Sequence, residues 1–306
     1  MLKKKMSNGL LPGEIILINW ISGKSEPFNF PKYFEYTYGL NANKTFLELN
    51  KKNYFELSGL NETLLSYTAQ QLKDFLKEKG LQNSGNKQKL VERLIPSLTD
   101  EDINKLKKVY DLSELGEKVT KDYDYIIKAH HDKYFSVVDA IITKIKHPKI
   151  VLYGDLKWTF LNNEQLEQSI NEDYGLYRNT LLAMSEQLAK ENNISYAIYF
   201  LLCVQIIDCM GVANNFKNRK PCYENIMVAP GIIDRLNKYN QRIDDADYKN
   251  AFSQSLRRID GLKTNGFLTK EDLKFLEKEL RNPEQSTIEK YFKKYEDYTS
   301  ENVYGF

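Results

Sequence analysis

The sequence predicts a mainly α protein. A small α+β element is expected over residues 1–60, a two-helix module over 62–98, and a larger all-α or mostly-α domain over 99–306. Three observations predict this layout. Apolar residues recur at three- and four-residue spacing through most of 99–306, the period of an amphipathic helix. Strand-like runs are few, at Glu14–Ile21, in the tyrosine-rich stretch from Pro31 to Leu40, and at Lys149–Tyr153. The stretch Leu65–Leu98 reads as two short helices around a glycine-bounded turn. A chain of 306 residues suits roughly two domains with a real core.

In chain order, EIILINWI (Glu14–Ile21) reads as a strand between Gly13 and Gly23. PKYFEYTYGL shows partial alternation at Tyr36, Tyr38 and Leu40 and reads as a second strand. Its aromatics Tyr33, Phe34, Tyr36 and Tyr38 could stack on bases, but core packing is the first use of such side chains. Residues 43–52 read as a helix.

Thr68 and Gln71 form a capping box that opens a helix carrying Leu72, Phe75 and Leu76 on one face. Gly80 is the residue expected at a left-handed helix terminus, with Leu81 folding back on Leu76. A second helix opens near Asn86 or Lys87, buries Leu90, Val91 and Leu94, and stops near Pro96. Outside that core lie Ser84, Gly85, Asn86 and Lys87 at the helix start, with Lys89 and Arg93 four residues apart. A helix N-terminus favours an anion, and a phosphate suits this one. Residues 62–98 carry six Lys/Arg and four Asp/Glu, a net charge of +2.

The spacing of Leu72, Lys73, Leu76, Gly80, Leu81, Ser84, Gly85, Lys87, Leu90, Val91, Glu92, Arg93 and Leu94 resembles the SAP domain, a helix-extended-helix DNA-binding module. The resemblance covers about a tenth of the chain and is specific in residue type across more than twenty positions. In that family, DNA contact is attributed to the turn and the start of the second helix. By position, the resemblance implies a nucleic-acid-binding set of Ser84, Gly85, Asn86, Lys87, Lys89 and Arg93. The residue after the glycine is often Lys in the family and is Asn86 here, which removes one phosphate partner. The P-K-Y-F-x-Y-x-Y-G segment resembles one found beside such motifs in some Gram-positive bacterial and phage proteins.

Thr99–Asp102 starts a helix expected to run through Leu106 and Tyr110, and Asp122–Ile145 reads as one or two helices. KIVLY (Lys149–Tyr153) reads as a strand. Asn163–Ile170, Tyr177–Lys190, Ser195–Met210, Gly231–Asn240, Leu273–Leu280 and Thr287–Tyr295 read as helices. YAIYFLLCVQII (Tyr196–Ile207) is nearly all apolar but shorter than the roughly 20 residues a membrane span needs, so a buried core helix is expected.

Net charge of the whole chain is +2, which gives no global drive onto nucleic acid, so any such binding must be local. Cys203, Cys209 and Cys222 include no C-x-x-C, and His130, His131 and His147 lie far from them in sequence. Neither a zinc site nor a disulfide framework is expected; the thiols read as those of a reducing cytoplasm. Lys3–Lys5 precede no apolar run, so no signal peptide is expected.

Phosphate-loop, zincin, nucleophile-elbow and kinase motifs are absent from the sequence. Gly261–Asp272 is a poor calcium loop, with Gly261 and Lys263 at the first two ligand places, and reads as a loop before a helix capped by Thr269. Asp155-x-Lys157 after KIVLY, with Asp139 upstream, is the short pattern of a metal-dependent nuclease. The expected function is therefore non-catalytic binding of the DNA phosphate backbone, with low sequence specificity. No cofactor, metal or membrane partner is expected, and the helical domain is free to serve a protein partner. The alternatives are a protein- or RNA-interaction scaffold and, behind it, the nuclease.

Overall fold

The computed structural model describes residues 1–212, 221–264, 266–299 and 302. The chain forms two compact units, residues 1–153 and 154–306. It is mainly α, and its described strands form one small sheet.

The first unit contains α1 (Pro12–Ile21), β1 (Lys24–Ser25), α2 (Tyr33–Tyr36), α3 (Ala42–Lys51), β2 (Phe55–Leu57), α4 (Leu60–Leu65), α5 (Ala69–Glu78) and α6 (Lys87–Leu94). It continues through α7 (Asp100–Asn104), β3 (Val109–Leu112), α8 (Glu114–Asp122), α9 (Asp124–His130) and α10 (Val137–Lys146). The sheet order is β1-β3-β2, antiparallel throughout, with Lys24 opposite Tyr110 and Leu57 opposite Tyr110 on the other edge.

The expected strand at Glu14–Ile21 is instead α1. Pro12 sits in its first turn, where no N–H is needed, and the Glu14 carboxylate accepts the Leu11 N–H at 2.6 Å. α1 packs against α3, α8, α9 and β3, so it is apolar nearly all round and carries no period to betray it. The second expected strand is also helical: α2 is followed by Gly39 at φ +67°, and Phe34 and Tyr38, four residues apart, are both buried. Tyr36 is 77% exposed. The helix expected over 43–52 is present as α3.

The helix begun at Thr99 ends at Asn104, and Val109–Leu112 becomes the central strand β3. That strand lies beyond the boundary expected at 98/99. With α8–α10 following it, the first compact unit extends to Tyr153. KIVLY forms no strand: Val151 is 81% exposed, and Asp155 and Lys157 lie in the first turns of α11 (Tyr153–Ile170). The nuclease pattern thus lacks the strand end it requires, and Lys157 is 1% exposed.

The second unit holds the rest of α11, then α12 (Tyr174–Lys190), α13 (Ile194–Cys209), α14 (Pro230–Asn240), α15 (Asp245–Asp260), α16 (Lys270–Glu279) and α17 (Gln285–Phe292). α13 packs against α12, α14 and α15 and is buried along most of its length. This explains its apolar sequence. Among the described residues no helix is long and apolar enough to cross a membrane. The helices expected from the sequence do not include α15, although Asp244 caps it and Tyr248, Ala251, Phe252, Ser255 and Ile259 line its buried face. In the Gly261–Asp272 stretch, position 265 lies outside the described residues; Thr269 caps α16 in a box with Asp272.

Candidate nucleic-acid interface

Helices α4, α5 and α6 share one closed core of Leu64, Tyr67, Leu72, Leu76, Leu90, Val91 and Leu94. The capping box opens α5 as the sequence predicts: the Gln71 N–H donates to Thr68 Oγ1 at 3.2 Å, and the Thr68 N–H donates to Gln71 Oε1 at 2.9 Å. Gly80 closes the helix at φ +67°, and the Leu81 N–H returns to the Leu76 carbonyl at 2.8 Å. That six-to-one bond is the Schellman closure.

The turn that follows ends at Gly85, with φ +128°, a region side chains rarely adopt. Asn86 then caps α6: its Oδ1 accepts the Lys89 N–H at 3.0 Å. Because that one donor is occupied, the anion-facing N–H groups of α6 are those of Lys87 and Gln88, which have no intrahelical acceptor. Ser84, Gly85, Asn86, Lys87 and Lys89 are all exposed. Among the described residues neither Lys87 nor Lys89 is in an ion pair.

Arg93 plays a part the spacing does not reveal. It is half-buried, and its Nη1 donates to the carbonyls of Gln82 and Ser84, the latter at 3.1 Å. The guanidinium thereby turns these carbonyls toward the helix, while Gln82 Nε2 donates to the Ser84 hydroxyl at 2.9 Å. Lys79 is likewise engaged, in an ion pair with Asp102. The hydrogen bond from Lys79 and those from Thr99 hold the Asp102 carboxyl well below the usual carboxylate range.

The module is an excursion between two paired strands. β2 leads into α4, and the Ser58 N–H donates to the Val109 carbonyl at 2.9 Å where the chain returns. A second tie lies at Tyr67, whose hydroxyl accepts the Lys107 N–H at 2.8 Å, with the Lys107 ammonium 4.9 Å from the ring centroid.

The other candidate groups do not join this surface. Phe34 and Tyr38 belong to the core; Tyr38 also hydrogen-bonds His130 Nδ1 at 2.8 Å. Cys203, Cys209 and Cys222 are buried free thiols, and burial pushes the first two up to about 12.

The arrangement is thus a helix, an extended turn and a second helix, with unpaired amides and two free ammonium groups at the start of the second. Residues 63–99 match the family model of the SAP domain, and the chain carries a SAP domain at that position. The assignment points to nucleic-acid binding as a general activity. Neither a curated protein nor a solved structure shows significant similarity to the chain.

Proposed function

We propose that this protein binds DNA non-catalytically through the phosphate backbone, with Ser84, Gly85, Asn86, Lys87, Lys89 and Arg93 as the binding set. The observation that carries the reading is the pairing of an exposed, capped N-terminus of α6 with Lys87 and Lys89, both free of ion pairs among the described residues. Amide donors and ammonium groups together suit a tetrahedral oxyanion. Lys87, Lys89 and the free amides make the phosphate contacts, Ser84 and Gly85 shape the approach, and Arg93 holds the turn in place. Phosphate contacts position a protein but do not read bases, so sequence preference is low. The second, helical unit then serves assembly or a protein partner, in a cytoplasmic protein of bacterial or phage type.

The test is fluorescence anisotropy of the full chain with a labelled 30-mer duplex across a salt series. With about three phosphates engaged, the log–log slope of affinity against salt is near −3. The matched variant is Lys87→Ala/Lys89→Ala with Arg93 retained, because removing Arg93 also releases the turn. Salt-dependent binding that weakens in the double variant, with a correspondingly smaller slope, supports the reading. Absence of binding at low salt overturns it and turns attention to protein partners.

A further inference from the structure

Arg258, on α15, meets side chains from three other helices of the second unit. Its Nε donates to the Tyr177 hydroxyl on α12 at 2.8 Å, its Nη1 to the Tyr199 hydroxyl on α13 at 3.0 Å, and its Nη2 to Gln165 Oε1 on α11. The guanidinium carbon lies 5.2 Å from the centroid of the Phe200 ring. Every one of these partners is neutral. The other half-buried arginines described in this unit each have a carboxylate: Arg178 with Asp208 at 2.6 Å, Arg235 with Glu186 at 2.9 Å, and Arg281 with Asp245 at 2.8 Å. Arg258 has none among the described residues.

A partly desolvated charge without a counter-charge is unfavourable, and proteins pair such groups. Three neutral acceptors occupy three of the five guanidinium donors, leaving one N–H on each terminal nitrogen. Tyr177 and Tyr199 each accept from the guanidinium and keep a hydroxyl proton to donate. Beyond the faces of the Tyr177, Tyr199 and Phe200 rings, 5.9, 5.9 and 5.2 Å from the guanidinium carbon, what is left over at this point is a positive charge with no anionic partner among the described residues, two N–H donors and two O–H donors. Water satisfies the donors and screens the charge but does not neutralise it. An oxyanion satisfies both, and adjacent guanidinium N–H groups engage phosphate in a two-pronged fashion.

The neighbouring surface narrows the ligand further. Tyr196, Tyr199 and Phe200 stand three and four residues apart on α13, so they share a face; Tyr196 is exposed and the other two are half-buried. The exposed Tyr196 ring, beside the Tyr199 and Phe200 rings that Arg258 covers, is a stacking platform for a base. We infer that Arg258, with the Tyr177 and Tyr199 hydroxyls, is a binding site for the phosphate group of a nucleotide, free or within a single strand. The site is separate from the SAP domain and does not depend on the reading of it.

The test is thermal unfolding of the full chain with inorganic phosphate, AMP or adenosine at low millimolar concentration, each against potassium chloride of equal ionic strength. AMP raises the midpoint by about 3 °C near ten times its Kd, inorganic phosphate raises it less, and adenosine leaves it unchanged. Arg258→Gln removes the rise. Tyr199→Phe, at a half-exposed position, and Arg258→Lys, which keeps the charge but not the fork, each cut it to under a third. They also keep the test decisive if Arg258→Gln unfolds. Binding of a labelled 12-nucleotide single strand by the Lys87→Ala/Lys89→Ala protein, lost on adding Tyr199→Phe, assigns the phosphate to a strand; an AMP response alone assigns it to a free nucleotide. No AMP-specific rise, a rise with inorganic phosphate only, or a rise kept by both Tyr199→Phe and Arg258→Lys overturns the inference.

Discussion

The Arg93 guanidinium reaches back nine residues to the Ser84 carbonyl, fastening the extended turn to the helix that follows it. A second bond from the same nitrogen, to the Gln82 carbonyl, makes the attachment two-point. Arg93→Ala is expected to speed hydrogen exchange of the Ser84–Asn86 amides and lower stability by about 1 kcal/mol, below the usual range for charge-assisted bonds because the side chain is partly solvated. Its effect on DNA affinity exceeds the loss of one charge, so affinity falls at all salt concentrations while the salt slope changes by no more than about one. Exchange mass spectrometry beside anisotropy checks both parts. Unchanged exchange in the turn would remove Arg93 from this positioning role.

Lys87 and Lys89 make the complementary case. Both are exposed and without an ion pair among the described residues, so their loss leaves the core and the turn as they are. Lys87→Ala/Lys89→Ala is expected to melt within about 0.5 kcal/mol of the parent while the log–log salt slope shrinks by about 1.8. Paired denaturation and anisotropy series measure the two quantities independently.

Asn86 is a trade between stability and charge. Its side chain caps α6 through the Lys89 N–H, where a lysine would offer a phosphate partner but no acceptor. Asn86→Lys is expected to cost about 1 kcal/mol of stability and to steepen the salt slope by about 0.9. Asn86→Ala takes the same stability loss without the gain in slope. If Asn86→Lys binds no better at low salt than Asn86→Ala, the helix start is not where phosphate sits.

Asp272 supplies a pH signature in the second unit. Burial pushes its carboxyl up, but hydrogen bonds from Lys294, Tyr295 and Thr269 outweigh this and hold it at about 2. A carboxyl below its ordinary value near 4 stabilises the folded state above that value; the contribution fades as pH falls through 2. About 2 kcal/mol is expected to disappear between roughly pH 4 and pH 2, and Asp272→Asn should flatten that part of the curve. Urea midpoints at pH 5, 4, 3 and 2 for both proteins decide it.

The SAP domain was legible in the sequence because every device that builds it is local. Thr68–Gln71, Gly80–Leu81 and the Leu90–Leu94 face each act within a few residues, and all are found where the spacing places them. The role of Arg93 was hidden because the fold, not the spacing, brings the turn carbonyls within its reach. α1 was misread for the opposite reason: it is surrounded, so its burial pattern has no period, and only Pro12 and Glu14 mark a helix start. β3 is four residues long and takes its strand character from β1 and β2, which lie far off in sequence. Arg258 could not be singled out from sequence at all, since what distinguishes it is the absence of a carboxylate among partners drawn from three other helices.

The topology gives one more expectation. Leu57 of β2 pairs with Tyr110 of β3, and the Ser58 N–H bonds the Val109 carbonyl, so the chain leaves and re-enters the sheet at adjacent points. The hydrophobic core of the intervening helices closes largely on itself, with Leu106 packed at its edge. Two antiparallel strands meeting this way can be joined by a two-residue turn, for which Asn-Gly has the required backbone freedom. Replacing residues 60–107 by Asn-Gly is therefore expected to leave β2 and β3 paired and the shortened chain cooperatively folded. Binding to the 30-mer duplex should be lost. Circular dichroism and a thermal melt establish folding, and anisotropy reads binding. A folded excision variant that still binds the duplex with an unchanged salt slope would move the DNA contact out of the SAP domain.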